Sequence, residues 1–503
     1  MRRRWLLLCC MMLVPVAVSA SVTVLTYHDI VDQPGPDRFA VSVGQFEQQM
    51  AYLAANGYQP ISLIRFYSSA SDRQQLPAKP VILTFDDGLL SYQEKVIPIL
   101  QKYHFPSVLS IVSSWADGSN QPEEYRGKLL DWEAIQRLDR SPLVEVISHS
   151  HDLHHWVQSS PRGTSAPVAV TRLYLADRNR YETEAEFEQR ISADLQQTQS
   201  RFRSMLGRPA LAITWPYGQY DAITSRLAGR AGFKLQLTLE DGAATAGEFP
   251  RVRRNILLAE HSLKEFQAML CRTYKIEGEL RFVELDLDLF SHVSADNHPR
   301  LIEQMVNRLG SLGINTVVVT PFTRDGKRAF FPNKQLPMES DLLSAVLDRI
   351  QTRLGIGQVY LRFPAGKETL PDLFYRNLAR RIRFNAALFD IVPDSGQLKS
   401  IRRSLQEYLP EIRLGSWKNV HTGMDLSFIS QAQLQPNDGE NKSLFVFVSS
   451  DDYLTTGGLA DTLRSLREKG VRNYGYGPLN YLAGAHAPDQ LIEAMAYRVR
   501  KGP

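Results

Sequence analysis

The sequence predicts an α/β protein made of two successive (β/α) barrel-like domains, the second of them shortened. Three observations carry this. Short apolar runs bounded by Gly, Pro or polar clusters alternate with segments of helical period along most of the chain. Residues able to do chemistry follow those runs directly, at the strand ends where barrels and open parallel sheets keep their sites. At 503 residues the chain is also too long for one ordinary core.

The elements follow in order. Ser21 to Thr26 reads as a first strand, ending in Tyr27-His28-Asp29-Ile30. Phe46, Met50 and Leu53 then mark a helix face that stops at Asn56-Gly57. Val81 to Phe85 is a short apolar run after Pro80 that ends in Asp86-Asp87-Gly88, so it reads as a buried strand. Val96, Ile97, Ile99 and Leu100 mark a second helix, Pro106 to Val112 the next strand, and Leu143 to Ile147 the strand that feeds a histidine cluster, His149 to His155. A Ser/Pro/Gly/Ala-rich stretch, 158–181, suits a surface loop beside a site. Thr183 and Glu186 form a capping-box pattern ahead of Phe187, Ile191, Leu195 and Phe202, and that helix halts at Gly207. Ala210 to Thr214 is a further strand, followed by Trp215-Pro216-Tyr217-Gly218. Phe266, Met269 and Leu270 close the first domain, expected over 21–276.

The second domain, 277–503, opens with a strand from Leu280 to Leu289 in which Asp286 and Asp288 alternate with leucines. A helix through Leu301, Met305 and Leu309 feeds the strand Ile314 to Thr320. The stretch Ser443 to Val448 precedes a helix around Leu459 to Lys469. Roughly 225 residues are available, against roughly 250 for a full eightfold barrel. No short-period repeat is present.

Composition narrows the function classes. Hydrophobic residues make up 43% and charged residues 22%, a globular balance. The net charge of +4 falls to +1 without Arg2, Arg3 and Arg4, leaving 55 basic against 54 acidic residues, so no electrostatic case for nucleic acid survives. Those arginines, the apolar stretch Trp5 to Val18 and Val18-Ser19-Ala20 form a secretory signal peptide, residues 1–20. An uncleaved anchor is the alternative, although 14 apolar residues fall short of the roughly 20 a span needs. Cys9 and Cys10 follow bulky leucines, an unsuitable context for lipidation. The remaining Cys271 has no disulfide partner and sits on an apolar helical pattern.

Adjacent residues at a strand end point to opposite sides, so Asp86 and Asp87 can take different jobs around one centre. Asp87 suits a metal ligand and Asp86 a base that takes a proton from the attacking water. Two imidazoles from the histidine cluster would complete an Asp/His/His set with open positions. Such a set suits zinc, nickel, cobalt or ferrous iron alike.

The Thr84-Phe85-Asp86-Asp87-Gly88 strand end, the histidine cluster and Pro216-Tyr217-Gly218 resemble the polysaccharide deacetylase family, carbohydrate esterase family 4. Tyr27-His28-Asp29, Ser148-His149 through His154-His155, Arg172 with Tyr181-Glu182-Thr183, Trp215-Pro216-Tyr217-Gly218 and Asp286-Leu287-Asp288 resemble its poly-β-1,6-N-acetyl-D-glucosamine N-deacetylase branch. The resemblance runs from residue 21 to the C-terminus, dense in the first domain and patchy in the second. It implies Asp87, His149 and His154 as metal ligands and Asp86 as general base. It further implies His28 as general acid, in a permuted motif order, and the Tyr217 N–H as oxyanion donor. His151 and His155 take supporting or surface roles. The family's usual arginine before Pro-Tyr is replaced by Thr214-Trp215, which leaves open what orients Asp86. Trp132 and Trp215 are candidates to floor a sugar site, with core packing the equal alternative.

The branch implies partial deacetylation of an exported biofilm polymer in the periplasm, beside an outer-membrane export porin. The rival readings are a chitin- or peptidoglycan-type deacetylase and a non-catalytic glycan-binding export factor. The second domain resembles the branch's glycoside-hydrolase-like barrel, but Leu388-Phe389-Asp390-Ile391-Val392 places apolar residues where catalytic acids are expected. It therefore reads as a degenerate, glycan-binding domain, with Tyr474, Tyr476 and Tyr481 as stacking candidates against ordinary packing.

Overall fold

The structure is a computed structural model that describes residues 21–35, 37–70, 76–159, 165–240, 242–270, 279–290, 293–294, 297–354, 358–368, 370–435, 441, 443–479 and 487–495. The leader, Cys271, Tyr481 and the expected domain junction lie outside these ranges. Among the described residues no helix is long and apolar enough to cross a membrane.

In the first domain β1 (Ser21–Tyr27), β2 (Pro80–Phe85), β3 (Ser107–Ile111), β4 (Val144–Ser148), β5 (Ala212–Thr214) and β6 (Leu235–Leu237) lie side by side in chain order, all parallel. β7 (Ala243–Thr245) pairs antiparallel with β1, and β8 (Arg251–Val252) pairs with β6, so the sheet curls into a nearly closed barrel. β2 is buried at every position, as a strand covered on both faces must be. Helices fall where the periodicity puts them. Val43–Ala55 ends at Asn56, and Glu184–Leu206 begins on the full Thr183/Glu186 capping box and stops at a left-handed Gly207. The 158–181 stretch is not plain loop, since it holds two short hairpins, Trp156–Gln158 with Ser165–Pro167 and Tyr174–Leu175 with Arg180–Tyr181.

The second domain closes completely. Eight parallel strands, β9 (Arg281–Leu285), β10 (Thr316–Val319), β11 (Gln358–Phe363), β12 (Ala386–Phe389), β13 (Arg413–Trp417), β14 (Leu426–Ser430), β15 (Leu444–Ser449) and β16 (Tyr474–Gly477), form a barrel in which β16 returns to β9. The missing length is therefore taken from connections, not strands. β9 stops at Leu285, and a 3₁₀ turn (Leu287–Phe290) follows, so Asp286 and Asp288 stand beyond the strand instead of alternating within it. The interior is filled by aromatic residues, with Phe428 stacked between Phe445 (4.4 Å) and Trp417 (4.9 Å).

The two stacking tyrosines are corrected by strand parity. Gly475 and Gly477 face the barrel interior, where a Cβ would lie 1.9 Å from the Phe282 carbonyl oxygen or 2.3 Å from the Glu284 Cβ. Tyr474 and Tyr476 therefore point the other way, beneath the outer helices, and both are fully buried. The Tyr474 hydroxyl donates to the Ala494 carbonyl at 2.6 Å, and Arg281 lies over its ring. Neither tyrosine can reach a sugar.

Candidate metal centre

The centre is assembled at the C-terminal ends of β1, β2, β4 and β5. Asp86 and Asp87 follow β2 and are both almost fully buried. Asp87 is left-handed (φ +74°), as is Gly88, which turns the chain sharply and aims the Asp87 carboxylate into the barrel mouth. Ser150 (φ +78°) and Tyr217 (φ +56°) repeat this conformation in the two other loops that line the site. Such residues cost of order 1–3 kcal/mol each and persist where the surroundings over-determine them.

The His149 Nε2 and His154 Nε2 each lie 3.3 Å from Asp87 Oδ1. His149 Nδ1 donates to the Thr214 carbonyl at 2.9 Å, which leaves the Nε2 lone pair facing Asp87. Asp87 Oδ1 is buried and has no hydrogen-bond partner among the described residues. The chemistry of the donor set fits a divalent cation. Ligands about 2.05 Å from a tetrahedral ion stand roughly 3.3 Å apart, the separation seen here. These three are the metal-ligating cluster found among the described residues. His155 and His151 do not join it. His155 is half exposed beside Asp152, and His151 Nδ1 pairs with Ser113 Oγ at 2.9 Å.

Electrostatics separate the two aspartates. Burial pushes the Asp86 carboxyl up, but Arg254, His149 and His28 outweigh it and hold the group below the ordinary carboxylate range. Burial likewise opposes ionisation of Asp87, yet the neighbouring His154 and His149 outweigh it and hold the group well below the ordinary carboxylate range. Burial pulls His154 down to about 4, which keeps its imidazole neutral and ready to ligate. His149 is also pushed down by burial, but the neighbouring Asp87 and Asp86 carboxylates prevail and raise it.

His28 follows β1 and lies close enough to influence both carboxylates. It packs on Phe39 at 5.1 Å, and its Nδ1 is buried without a hydrogen-bond partner among the described residues. Tyr217 brings its ring within 4.5 Å of His154. The next residue is a left-handed Gly218, whose hypothetical Cβ would strike Leu239 at 2.7 Å, so the turn has no room for another side chain there.

The two tryptophan candidates are core residues. Trp132 is buried, donates Nε1–H to Asp117 at 2.7 Å and packs edge-on to Phe202. Trp215 is fully buried and donates to Gln236 at 3.1 Å. The exposed aromatic residue beside the site is Trp156, 42% exposed and 5.6 Å from Tyr217, while the buried Trp115 packs on His154 at 4.9 Å and backs it from within. Trp156 adjoins the histidine cluster in sequence, a proximity that could have marked it.

Two positioning residues escape a reading by local motif. Arg254 is buried, donates to Asp86 Oδ1 at 2.9 Å and to Thr84 Oγ1 at 3.2 Å, and is itself held by the Thr238 carbonyl. It does the orienting that the residue before Pro-Tyr does not. Its signal was strand parity, because Val252 and Arg254 face inward while Arg251 and Arg253 pair with Glu248 and Glu411. Asp194, on the Glu184–Leu206 helix, accepts the backbone N–H groups of His151 (3.1 Å) and Asp152 (2.6 Å), which pins the loop between the ligating histidines. Burial raises its carboxyl to about 7.

The polysaccharide deacetylase family model matches residues 73–236, the stretch that supplies Asp86, Asp87, both histidine ligands and Tyr217. The first domain belongs to the polysaccharide deacetylase family. This deacetylase domain and part of the second barrel are 32% identical, over 353 residues, to the poly-beta-1,6-N-acetyl-D-glucosamine N-deacetylase of Escherichia coli K12. That match covers 68% of this chain and 52% of the relative, so the chain spans about half the length of the curated relative it matches. Among solved structures, the BpsB deacetylase domain from Bordetella bronchiseptica aligns with 47% of the chain and 96% of its own length, at 30% identity and a TM-score of 0.43. The PgaB (BpsB) glycoside hydrolase domain from the same organism aligns with 44% of this chain and all of its own length, at 15% identity and a TM-score of 0.36.

Proposed function

We propose that the chain is a metal-dependent N-deacetylase of poly-β-1,6-N-acetyl-D-glucosamine, acting in the periplasm as the polymer is exported for biofilm formation and releasing acetate. The observation that carries the reading is the buried Asp87 oxygen facing two imidazole nitrogens, with an arginine-held carboxylate beside it. The identity to the E. coli enzymes supports the choice of glycan, and the leader-like segment 1–20 supports export. The polymer would be received at an outer-membrane export porin.

A divalent cation held by Asp87, His149 and His154 would supply Lewis acidity and a lowered water pKa. Asp86, kept ionised by Arg254, accepts the proton of the attacking water. The water oxygen bonds to the acetyl carbonyl carbon, and the Tyr217 N–H donates to the developing oxyanion. His28 delivers a proton to the departing nitrogen, the C–N bond breaks, and acetate and a free glucosamine amine result. Trp156 is the exposed aromatic face against which a sugar ring would lie.

Acetate release from defined β-1,6 and β-1,4 N-acetylglucosamine oligomers, with and without chelator, tests the reading. Chelator-sensitive release from the β-1,6 oligomer is expected. Preference for the β-1,4 oligomer would favour a chitin- or peptidoglycan-type enzyme, and no release from metal-replete protein would favour a glycan-binding export factor.

A further inference from the structure

The insertion that carries Arg172 and Tyr181 has no part in the chemistry, yet it meets the second barrel around an enclosed cavity. The cavity measures about 50 Å³ and is lined by Arg172, Tyr181, Pro332, Arg380, Arg381 and Arg383, with smaller neighbours. Since roughly 10–15 Å³ of such volume admits one water, it holds a few waters or one small polyatomic ion.

Four guanidinium groups are turned into this space from two domains. Arg172 is satisfied, bidentate to Glu184 and bonded to Asp221. Arg380 shares Glu184 at 2.6 Å, but its Nε is buried without a partner. Arg381 lies 3.8 Å over the Tyr181 ring, its Nε likewise buried and unpartnered. Among the described residues Arg383 is held by the carbonyls of Tyr408 (2.6 Å) and Val170 (3.4 Å). Neither Arg381 nor Arg383 forms an ion pair with a described residue. Among the described residues the carboxylates that act most strongly on these arginines are Glu184, Asp221 and Asp341, three against four guanidinium groups.

Arg380 and Arg381 occupy the last turn of the helix Asp372–Arg381, where cations suit the helix dipole. That accounts for their place in sequence. It does not account for Arg383 and Arg172 converging on the same enclosed space, or for buried guanidinium N–H groups left without acceptors. Burial alone depresses a cation, and it pulls Arg383 down to about 10 with Arg172 adding repulsion.

We propose that this interdomain cavity is a binding site for one small oxyanion, of the class of inorganic phosphate or sulfate. The anion accepts from the unpartnered N–H groups of Arg380 and Arg381, balances the excess cation and ties the deacetylase insertion to the second barrel. Guanidinium forks match tetrahedral oxyanions well, and a charge-assisted bond of this kind is among the stronger ones available.

The test is calorimetric titration of the full chain with sodium phosphate against sodium chloride at matched ionic strength, in parallel with thermal melting. Saturable one-site phosphate binding is expected, with a matching rise in melting temperature. Arg381→Gln and Arg380→Gln, tested separately so that a folding failure in one leaves the other, should each weaken it about tenfold. Acetate release should be unchanged in both. Phosphate also stabilises proteins by exclusion from their surface. A melting shift that persists undiminished in both variants, or a flat titration of the wild-type chain, would overturn the proposal.

Discussion

Both barrels gather acidic residues at the C-terminal ends of their strands, and the two clusters are wired in opposite ways. In the first, Asp87 Oδ1 is buried, has no hydrogen-bond partner among the described residues, and faces two imidazole nitrogens. In the second, the acids are already answered by arginines. Arg362 bonds Glu284 at 2.6 Å and grips both oxygens of Asp390 at 2.8 Å, while Arg324 meets Asp286 through its guanidinium and Asp288 through its backbone N–H. A carboxylate gripped through both oxygens, as Asp390 is, has most of its lone pairs committed; Asp86 is bonded to Arg254 through Oδ1, and Asp87, left open among nitrogens, can take a cation. The same residue types at the same place in the same kind of fold thus make an open candidate metal centre in one barrel and arginine-tied pairs in the other.

The contrast can be broken most directly at Asp87. Asp87→Asn should empty the centre of metal and abolish acetate release, read by elemental analysis alongside the assay; a variant that keeps both would sink the ligand assignment. His28→Gln should lower kcat by about 10²–10⁴-fold with little change in KM, the mark of a proton delivered in the transition state. Asp194→Asn should weaken metal affinity about 10–100-fold, because the loop between the histidines loses one of its two anchors.

Arg254→Met probes the base. Asp86 is now held below the usual carboxylate range, so its base form persists into acid and is lost only as pH falls through that depressed value. Without Arg254 burial is less opposed, and the acid limb of kcat/KM should move upward in pH. A limb that stays in place would mean that Arg254 is merely structural. The smallest effect on turnover is expected in the second barrel. Arg362→Met should leave acetate release within about twofold, yet destabilise the chain by about 3 kcal/mol or somewhat less, since Glu284 is buried and Arg362 is partly exposed. Denaturant melts followed beside activity would separate the two barrels in this sense.

Much of the first domain was legible because its signals are local. The strand before Asp86, the capping box at Thr183 and the Gly207 stop are each written within a few residues. The Asp pair and the histidine cluster were legible because few packing roles ask for such residues at strand ends, whereas the choice of His149 and His154 within the cluster rested on the family resemblance. Arg254 was not, since its partner stands 168 residues away and only the parity of a two-residue strand turns it inward. Trp132 and Trp215 were ambiguous by nature, an indole being equally good at lining a core and flooring a sugar. Tyr474 and Tyr476 were ambiguous in the same way, and the alternation with Gly475 and Gly477 decides for packing, because those glycines give the close approach that lets Phe282 and Glu284 fill the barrel.

The three left-handed residues at the centre, Asp87, Ser150 and Tyr217, have a consequence for how the protein behaves when stripped of metal. Each loop is held in a conformation its own backbone disfavours, and a cation held by Asp87, His149 and His154 would help fix the first two loops together. Without it the loops should open locally long before either barrel unfolds. Amide hydrogens over 149–154 should then exchange with solvent faster in chelated protein than in loaded protein. Exchange rates along that one segment would therefore report whether the site is filled, in the absence of any glycan.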